Sequence, residues 1–440
     1  MTDGPGPRGA AGAEIIVEIE SLAPGGDAVG RQQGRAGADA GPDAADGRVT
    51  FVPLAAPGER VRARLEREKG KVAWAELAAI ERSGPDRIPP PCPLFGACGG
   101  CQWQHVTLAA QHLAKRTLVE RAIGGAAADR APGGAAADRA PGAALPPVVA
   151  ASPAYGYRDR ARLAVGAGGQ LGFRARRSHD LVDVEACLLF GPELTRALPA
   201  LRALARGLAP GVELDVQAGR EGVHLNVVRA DPTSAAHARR EVDRLAAAGV
   251  VGLALGGKPT WGLPEVDVAE PGGAPLSVPA GGFAQVGRAA TGALVAAVLD
   301  AVGPSPGVVR ELYAGSGTFT RALAARGPVF AEDGDPAAVE RGRRSVPAAT
   351  WARTPARPGP DAPPADTVVL DPPREGADRA HLGRALAARR RVVYVSCDPQ
   401  TLGRDLRALV AGGFRLTGAV ALDVMPQTFH VEVVAALDRG

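Results

Sequence analysis

Beyond Phe283 the chain settles into short apolar runs alternating with helix-like stretches, and several of these runs end on residues capable of chemistry. Val308-Val-Arg-Glu-Leu-Tyr313-Ala-Gly315-Ser-Gly317-Thr318 reads as a strand, a glycine turn and the start of a helix. Pro328-Val-Phe-Ala ends in Glu332-Asp333, Thr367-Val-Val-Leu in Asp371-Pro-Pro-Arg374, and Val392-Val-Tyr-Val-Ser in Cys397-Asp398-Pro. Strands separated by helices pair in parallel, so this alternation restricts residues 281–440 to an α/β domain built on a parallel sheet. Ligands of such sheets sit at the carboxyl edge of the strands. Asp371 and Cys397 end neighbouring strands there and are expected to share a pocket.

The glycine turn points to the ligand. Gly315 and Gly317 let the backbone approach a bound group closely, although Gly-x-Gly alone serves turn geometry as often as binding. About twenty residues on, an acid closes the second strand, the place where doubly wound folds hold ribose hydroxyls. The third glycine of a dinucleotide fingerprint is missing, which favours S-adenosylmethionine over a nicotinamide cofactor. Cys397 stands at a strand end before Asp-Pro, where a nucleophile is better placed than a buried small hydrophobe. The last strand carries Glu432 within Phe429-His-Val-Glu432-Val-Val-Ala, either an edge-strand charge or a base of raised pKa.

The other four cysteines lie upstream. Cys92, Cys98 and Cys101 occupy Cys92-Pro-Leu-Phe-Gly-Ala-Cys98-Gly-Gly-Cys101, and Cys187 follows much later. Three thiols on a glycine-rich turn plus one more can supply the four thiolates of an iron-sulfur cluster. Structural zinc sites usually offer two short ligand pairs, and the second pair is absent, so iron-sulfur is favoured with zinc left open.

At 440 residues the chain needs two or three cores. Residues 14–80 alternate apolar runs with Gly and Pro turns, as a small β-barrel does, broken by a polar loop over residues 31–47. A helix is expected over residues 108–123. Residues 125–141 hold a tandem Gly-Ala-Ala-Ala-Asp-Arg-Ala-Pro, a tract too simple to build a core and expected to be disordered. Residues 157–184 return to strands, where Arg158, Arg160 and Arg162 share a face and form either a phosphate-binding stripe or a solvated strand face. The division expected is 1–85 barrel, 86–280 cysteine turn and mixed α+β region with a low-complexity insertion over 124–147, and 281–440 α/β domain. The net charge of +4 fits a polyanionic partner but decides little, because the Arg, Ala, Gly and Pro richness reads as a composition bias. Neither a secretory signal nor an apolar run of membrane-spanning length is found, so a cytoplasmic protein with reduced thiols is expected.

These motifs, in this order, resemble the bacterial RNA (uracil-5-)-methyltransferase family, in particular its iron-sulfur-bearing branch acting on 23S ribosomal RNA. The likeness runs from a TRAM-like barrel through Cys98-Gly-Gly-Cys101-Gln-Trp-Gln-His, Tyr157-Arg-Asp-Arg-Ala-Arg-Leu, Cys187, Gly282-Phe-Ala-Gln285-Val and the Gly315 turn. It continues through Asp371-Pro-Pro-Arg374, Ser396-Cys397-Asp-Pro and Pro426-Gln-Thr-Phe-His-Val-Glu432. The resemblance implies an S-adenosylmethionine-dependent, Rossmann-like methyltransferase domain at the C-terminus, preceded by a TRAM/OB-like barrel and a mixed central region. It implies Cys397 as nucleophile and Glu432 as base. Gln285, Tyr313, Gly315, Gly317, Thr318, Asp333 and Asp371 would line the cofactor or target-base pocket. Cys92, Cys98, Cys101 and Cys187 would hold a [4Fe-4S] cluster of structural or RNA-positioning use.

The chain departs from the family at Thr318, where asparagine is frequent, and at Ala314, where cysteine is. Residues 345–366 show no clear acid to grip adenine. The family's partner is RNA, no membrane or obligate protein partner is implied, and a monomer suffices. Transfer RNA as substrate, a non-catalytic iron-sulfur RNA-binding protein and a DNA cytosine methyltransferase are the rival readings. The barrel and cysteine turn, the intact Cys397, Asp371 and Glu432, and the position of the thiol argue against each in turn.

Overall fold

The computed structural model describes residues 12–35, 47–128, 148–268, 276–354 and 364–440. Contacts group the chain into two compact units. One comprises residues up to Ala114 with Gln427–Phe429, and the other Lys115–Pro426 with His430–Gly440.

In the first unit β1 (Glu14–Leu22), β2 (Ala28–Arg35), β3 (Val49–Val52), β4 (Arg60–Lys69) and β5 (Val72–Arg82) close a barrel in the order β1-β2-β3-β5-β4. Alternation sets its inside and outside: Val61, Ala63 and Leu65 of β4 are buried, while Arg60 reaches Glu18 and Glu81 on the outer face. Strand β2 carries no apolar alternation, and Arg31 to Arg35 of the expected loop belong to it. It approaches β1 so closely that a Cβ on Gly30 would lie 2.0 Å from the Glu18 carbonyl oxygen. Residues 36–46 of that loop lie outside the described residues.

Helix α1 (Leu108–Ala128) runs five residues past its expected end, into the alanine-rich tract. Alanine favours helix even where it cannot favour a core. Residues 129–147 lie outside the described residues.

The second unit continues with β6 (Val148–Ala150), β7 (Arg160–Val165), β8 (Leu171–Arg174), β9 (Leu181–Asp183), α2 (Pro192–Ala205), β10 (Glu213–Ala218), β11 (Val223–Val228), α3 (Pro232–Arg240), α4 (Val242–Ala247), β12 (Val250–Leu255) and β13 (Lys258–Gly262). All these strands except β6 form a seven-stranded sheet, β13-β12-β11-β10-β7-β8-β9. Leu194, Leu198, Leu201 and Leu204 repeat along one face of α2 and pack onto Leu214, Leu225 and Leu253. A short ribbon, β14 (Glu265–Val268) with β15 (Leu276–Pro279), follows.

Next come α5 (Arg288–Val302), β16 (Val309–Leu312), α6 (Thr320–Ala324), β17 (Val329–Asp333), α7 (Pro336–Ser345), β18 (Thr350–Arg353), β19 (Thr367–Leu370), α8 (Arg379–Leu386), β20 (Arg391–Ser396), α9 (Pro399–Ala411), β21 (Phe414–Asp423) and β22 (Glu432–Arg439). With β6 at its edge this is the α/β sheet expected from the sequence, in the order β18-β17-β16-β19-β20-β22-β21-β6. Strands β16 to β20 are parallel, and β22 is antiparallel to both β20 and β21. The chain steps outward from β16 to β18, then resumes on the opposite side at β19. The β16/β19 boundary is therefore the switch point at which such sheets open a ligand crevice. Helices cover both faces: α5 and α7 supply Leu294, Val298 and Val339 to one core, and α1, α8 and α9 supply Val119, Ala385, Leu402 and Leu406 to the other.

Candidate active site

The glycine turn leaves β16 at Tyr313, which adopts a left-handed φ of 60°. That conformation is costly outside glycine and must be held by its surroundings. The Tyr313 ring stacks on His381 at 4.1 Å between centroids, and its hydroxyl accepts from the Asp378 amide at 3.3 Å. Gly315 and Gly317 also have positive φ, 57° and 105°. A Cβ on Gly315 would meet no atom within 4 Å, so the turn faces open space there, whereas one on Gly317 would press on Val346 and Trp351 at 3.2 and 3.3 Å. Thr318, half-buried, completes the turn before α6. This backbone, exposed at a switch point, fits a cofactor that is bound mainly through main-chain contacts.

Asp333 ends β17 and accepts from the Gly315 amide at 2.8 Å and the Asp335 amide at 2.8 Å, so it sits directly against the glycine turn. Its neighbour Glu332 points instead into the protein, buried with Arg310 and Arg384 at 3.3 and 3.6 Å. The alternation of a strand separates two adjacent acids that sequence cannot tell apart. Strand β18 ends in Arg353-Thr354 without an acid, in line with the sequence; residues 355–363 of that segment lie outside the described residues.

Cys397 follows β20 directly and Glu432 opens β22. The ladder's last pair on this side is Ser396 with Val433, so Cys397 and Glu432 are the next residue beyond it on each chain segment. Burial, with added charge from Glu432 and Asp371, pushes the Cys397 thiol up to about 12, against a downward pull from Arg374. Glu432 is 6% exposed; burial, then Asp371, raises it well above the usual carboxylate range, again opposed by Arg374. Burial lifts Asp371, at the end of β19, to about 7. Arg374 is exposed and lies 3.4 Å from His430. Asp398 caps α9 by accepting from the Gln400 and Thr401 amides at 2.8 and 3.1 Å, so the acid beside Cys397 is occupied structurally.

Glu311, unremarked in the sequence, belongs to the same group of buried acids. It is 1% exposed on β16, and burial raises it to about 8, opposed first by a hydrogen bond from Thr320 and helped by the charges of Asp371 and Asp333. The signal was present as a carboxylate one residue from the end of strand Val309–Leu312, beside Arg310. Gln285 is half-buried on the loop entering α5, two residues after Phe283, which is 72% exposed with the Arg160 guanidinium 5.7 Å from its ring centroid. Of the expected arginine stripe, Arg160 and Arg162 share Asp215 at 3.3 and 2.7 Å, which offsets part of its charge. Arg158 lies before β7 and bridges to Phe190.

Cys92, Cys98 and Cys101 lie in the first unit on consecutive turns, with the Cys98 amide donating to Leu94 O at 2.9 Å and Gly100 N donating to Cys98 Sγ at 3.4 Å. Cys187 belongs to the second unit, where it packs against the central core. An N–H aimed at sulfur and an all-thiol donor set suit an iron-sulfur cluster. Among the described residues, however, no group of three or more His, Cys, Asp or Glu side chains is gathered closely enough to hold a metal.

A family model described as tRNA (uracil-5-)-methyltransferase matches residues 363–440, the segment that carries Asp371, Cys397 and Glu432. Over 430 residues the chain is 35% identical to the 23S rRNA (uracil(1939)-C(5))-methyltransferase RlmD of Alkalilimnicola ehrlichii, covering 90% of this chain and 92% of that protein. It is 33% identical over 425 residues to the enzyme of the same description from Chromohalobacter salexigens, covering 89% and 85%. Among solved structures, the Pyrococcus abyssi tRNA (uracil-54, C5)-methyltransferase in complex with S-adenosyl-L-homocysteine superposes with a TM-score of 0.71 at 25% identity, covering 98% of this chain and 100% of that one.

Proposed function

Since the chain belongs to the RNA (uracil-5-)-methyltransferase family and is an S-adenosylmethionine-dependent enzyme, we propose that it forms 5-methyluridine in 23S ribosomal RNA through a covalent bond from Cys397 to uracil C6. The observation that carries the reading is that Cys397 directly follows β20 where Glu432 opens the adjoining β22, with the charges of Glu432 and Asp371 both bearing on the thiol. C5 of uracil is a weak nucleophile. Addition of the Cys397 thiolate at C6 moves the ring electrons onto C5 and the C4 carbonyl. Bound S-adenosylmethionine supplies an electrophilic methyl group, which C5 takes.

The ring then carries both a methyl and a proton at C5. Glu432 removes that proton, the C5–C6 double bond re-forms, and the Cys397 thiolate leaves. A carboxylate whose proton affinity is raised by burial is a stronger base once ionised, which suits this step. Arg374, the cation pulling the Cys397 thiol downward, favours the thiolate that starts the cycle.

Gly315, Gly317, Thr318, Tyr313 and Asp333 would seat the cofactor, with Asp333 on the ribose, and Gln285 and Asp371 would face the cofactor or the target base. The target uridine must leave any helical stack to reach Cys397, and exposed Phe283 offers a face for an unpaired base. The barrel and the arginines around β7 would hold phosphates. Cys92, Cys98, Cys101 and Cys187 would hold a [4Fe-4S] cluster that takes no part in methyl transfer. Transfer RNA is the second reading, favoured by the family model and by the Pyrococcus abyssi enzyme.

The test is methyl transfer from radiolabelled S-adenosylmethionine to undermodified 23S ribosomal RNA and, separately, to unmodified transfer RNA, with the product mapped by mass spectrometry. Label in 5-methyluridine of ribosomal RNA, lost in Cys397→Ala, is the expected result. Label in transfer RNA alone would hand the substrate to the second reading, and label that survives Cys397→Ala would sink the covalent mechanism.

A further inference from the structure

The loop after β19 carries Arg374, which lies 3.4 Å from His430 and whose charge acts on Cys397, and it is fastened by a buried acid with no part in the steps above. Asp405, on the second turn of α9, is 1% exposed. Its Oδ2 accepts from the Tyr394 hydroxyl at 2.5 Å and the Ala377 amide at 2.8 Å, and its Oδ1 accepts from Arg404 Nε at 2.7 Å. Arg404 in turn donates to the Glu375 carbonyl at 2.9 Å. Gly376 has φ 81°, and a Cβ there would lie 2.6 Å from Asp405 Oδ2, so the loop can close on the carboxylate only with glycine at that position.

Each donor comes from a different part of the machinery. Tyr394 lies on β20, three residues before Cys397, while α9 begins two residues after it. Ala377 and Glu375 lie on the Arg374 loop, whose next amide, Asp378, meets the Tyr313 hydroxyl of the cofactor turn. One buried carboxylate therefore joins the nucleophile's strand, the nucleophile's helix and the Arg374 loop. Such a hub acts as a unit, because removing one acceptor frees several donors at once.

We propose that Asp405, with Tyr394, is a positioning residue that holds the Arg374 loop in register with Cys397. The inference rests on the functional reading above for its kinetic consequence but not for its geometry. In Asp405→Asn one carboxylate oxygen becomes an NH2 that cannot accept, so either the Ala377–Tyr394 side or the Arg404 side meets a donor instead of an acceptor, the loop loosens and Arg374 loses its fixed place.

Two readouts test this. Alkylation of Cys397 by iodoacetamide at neutral pH, followed on the Cys397 peptide by mass spectrometry, needs no RNA. It should slow severalfold in Asp405→Asn and in Arg374→Ala, and no further in the double variant. Methyl transfer at saturating RNA and cofactor should lose about ten-fold in kcat with the KM for S-adenosylmethionine within about three-fold of wild type. Tyr394→Phe removes one donor and should move both readouts the same way by less, which covers the case where Asp405→Asn does not fold.

Unchanged alkylation in the folded variants, or equal slowing by Asp405→Asn in the Arg374→Ala background, overturns the proposal. If wild type makes no 5-methyluridine the functional reading fails, while alkylation still judges the positioning.

Discussion

At the scale of single residues, the pocket is defined by groups held away from their usual ionisation. Glu432 should be separable from Cys397 in its effect. On the proposed mechanism, Glu432→Gln leaves addition and methyl transfer possible but removes the acceptor for the C5 proton. We expect denaturation-resistant protein–RNA adduct to accumulate while free 5-methyluridine falls by about a hundred-fold or more. Turnover near the wild-type rate in Glu432→Gln would assign the base elsewhere. Burial raises Glu311 to about 8 and Asp371 to about 7 in the folded protein. Both values lie above those of exposed carboxylates, so the folded state keeps protons that the unfolded chain releases. The stability this confers is complete in acid and is lost as pH rises through those values. Thermal unfolding of the cofactor-free protein should therefore show stability falling between about pH 5 and pH 8, with Glu311→Gln flattening the slope and gaining about 1 kcal/mol or more at the upper end. A Glu311→Gln profile parallel to wild type would rule out that origin. Cys397, Asp371 and Glu432 were legible in the sequence because each interrupts or ends an apolar run. Asp405 was not, because Thr401-Leu-Gly-Arg-Asp405-Leu reads as an ordinary amphipathic helix until Tyr394 and Ala377 are brought against it.

At the scale of elements, the strands missed from sequence share a cause. Strand β2 is polar because it contributes mainly backbone pairing to the barrel, and β6 and β18 are three- and four-residue edge strands with too few residues to show a period. Their places come from partners: β21 for β6 and β17 for β18. Helix α1 was legible in position but not in anchorage. Lys115 is fully buried on it, in an ion pair with the equally buried Asp423 at the end of β21, and also donates to the Met425 carbonyl at 3.2 Å. Burial lowers the Lys115 pKa and Asp423 opposes the fall, so the pair stands or falls together. Lys115→Met strands a buried carboxylate and should cost about 3–5 kcal/mol, most of it regained when Asp423→Leu is added. Chemical denaturation measures both. A Lys115→Met protein within about 1 kcal/mol of wild type would show that the pair is dispensable.

At the scale of the whole molecule, the parallel sheet and the strand ends that carry Asp371 and Cys397 were legible because their motifs are local: strand, turn and polar residue follow one another within a dozen residues. The cysteines pose the opposite problem. Cys92, Cys98 and Cys101 announce a site through spacing alone, yet their proposed fourth partner is 86 residues beyond Cys101 and belongs to a different compact unit, so nothing local names it. If the four thiols share one [4Fe-4S] cluster, anaerobically prepared protein should hold about four irons per chain, and Cys187→Ser should lose iron as fully as Cys98→Ser. Cys397→Ser, which removes a thiol of the same chain outside the proposed set, should keep its iron while losing methyl transfer. If, as proposed, the cluster takes no part in methyl transfer, Cys187→Ser should retain Cys397 alkylation and a measurable kcat, its loss appearing in the KM for RNA. Iron retained in Cys187→Ser but lost in Cys98→Ser would confine the metal to the first unit and exclude a four-thiolate set that includes Cys187. Iron lost together with Cys397 alkylation would instead tie the cluster to the integrity of the catalytic sheet itself.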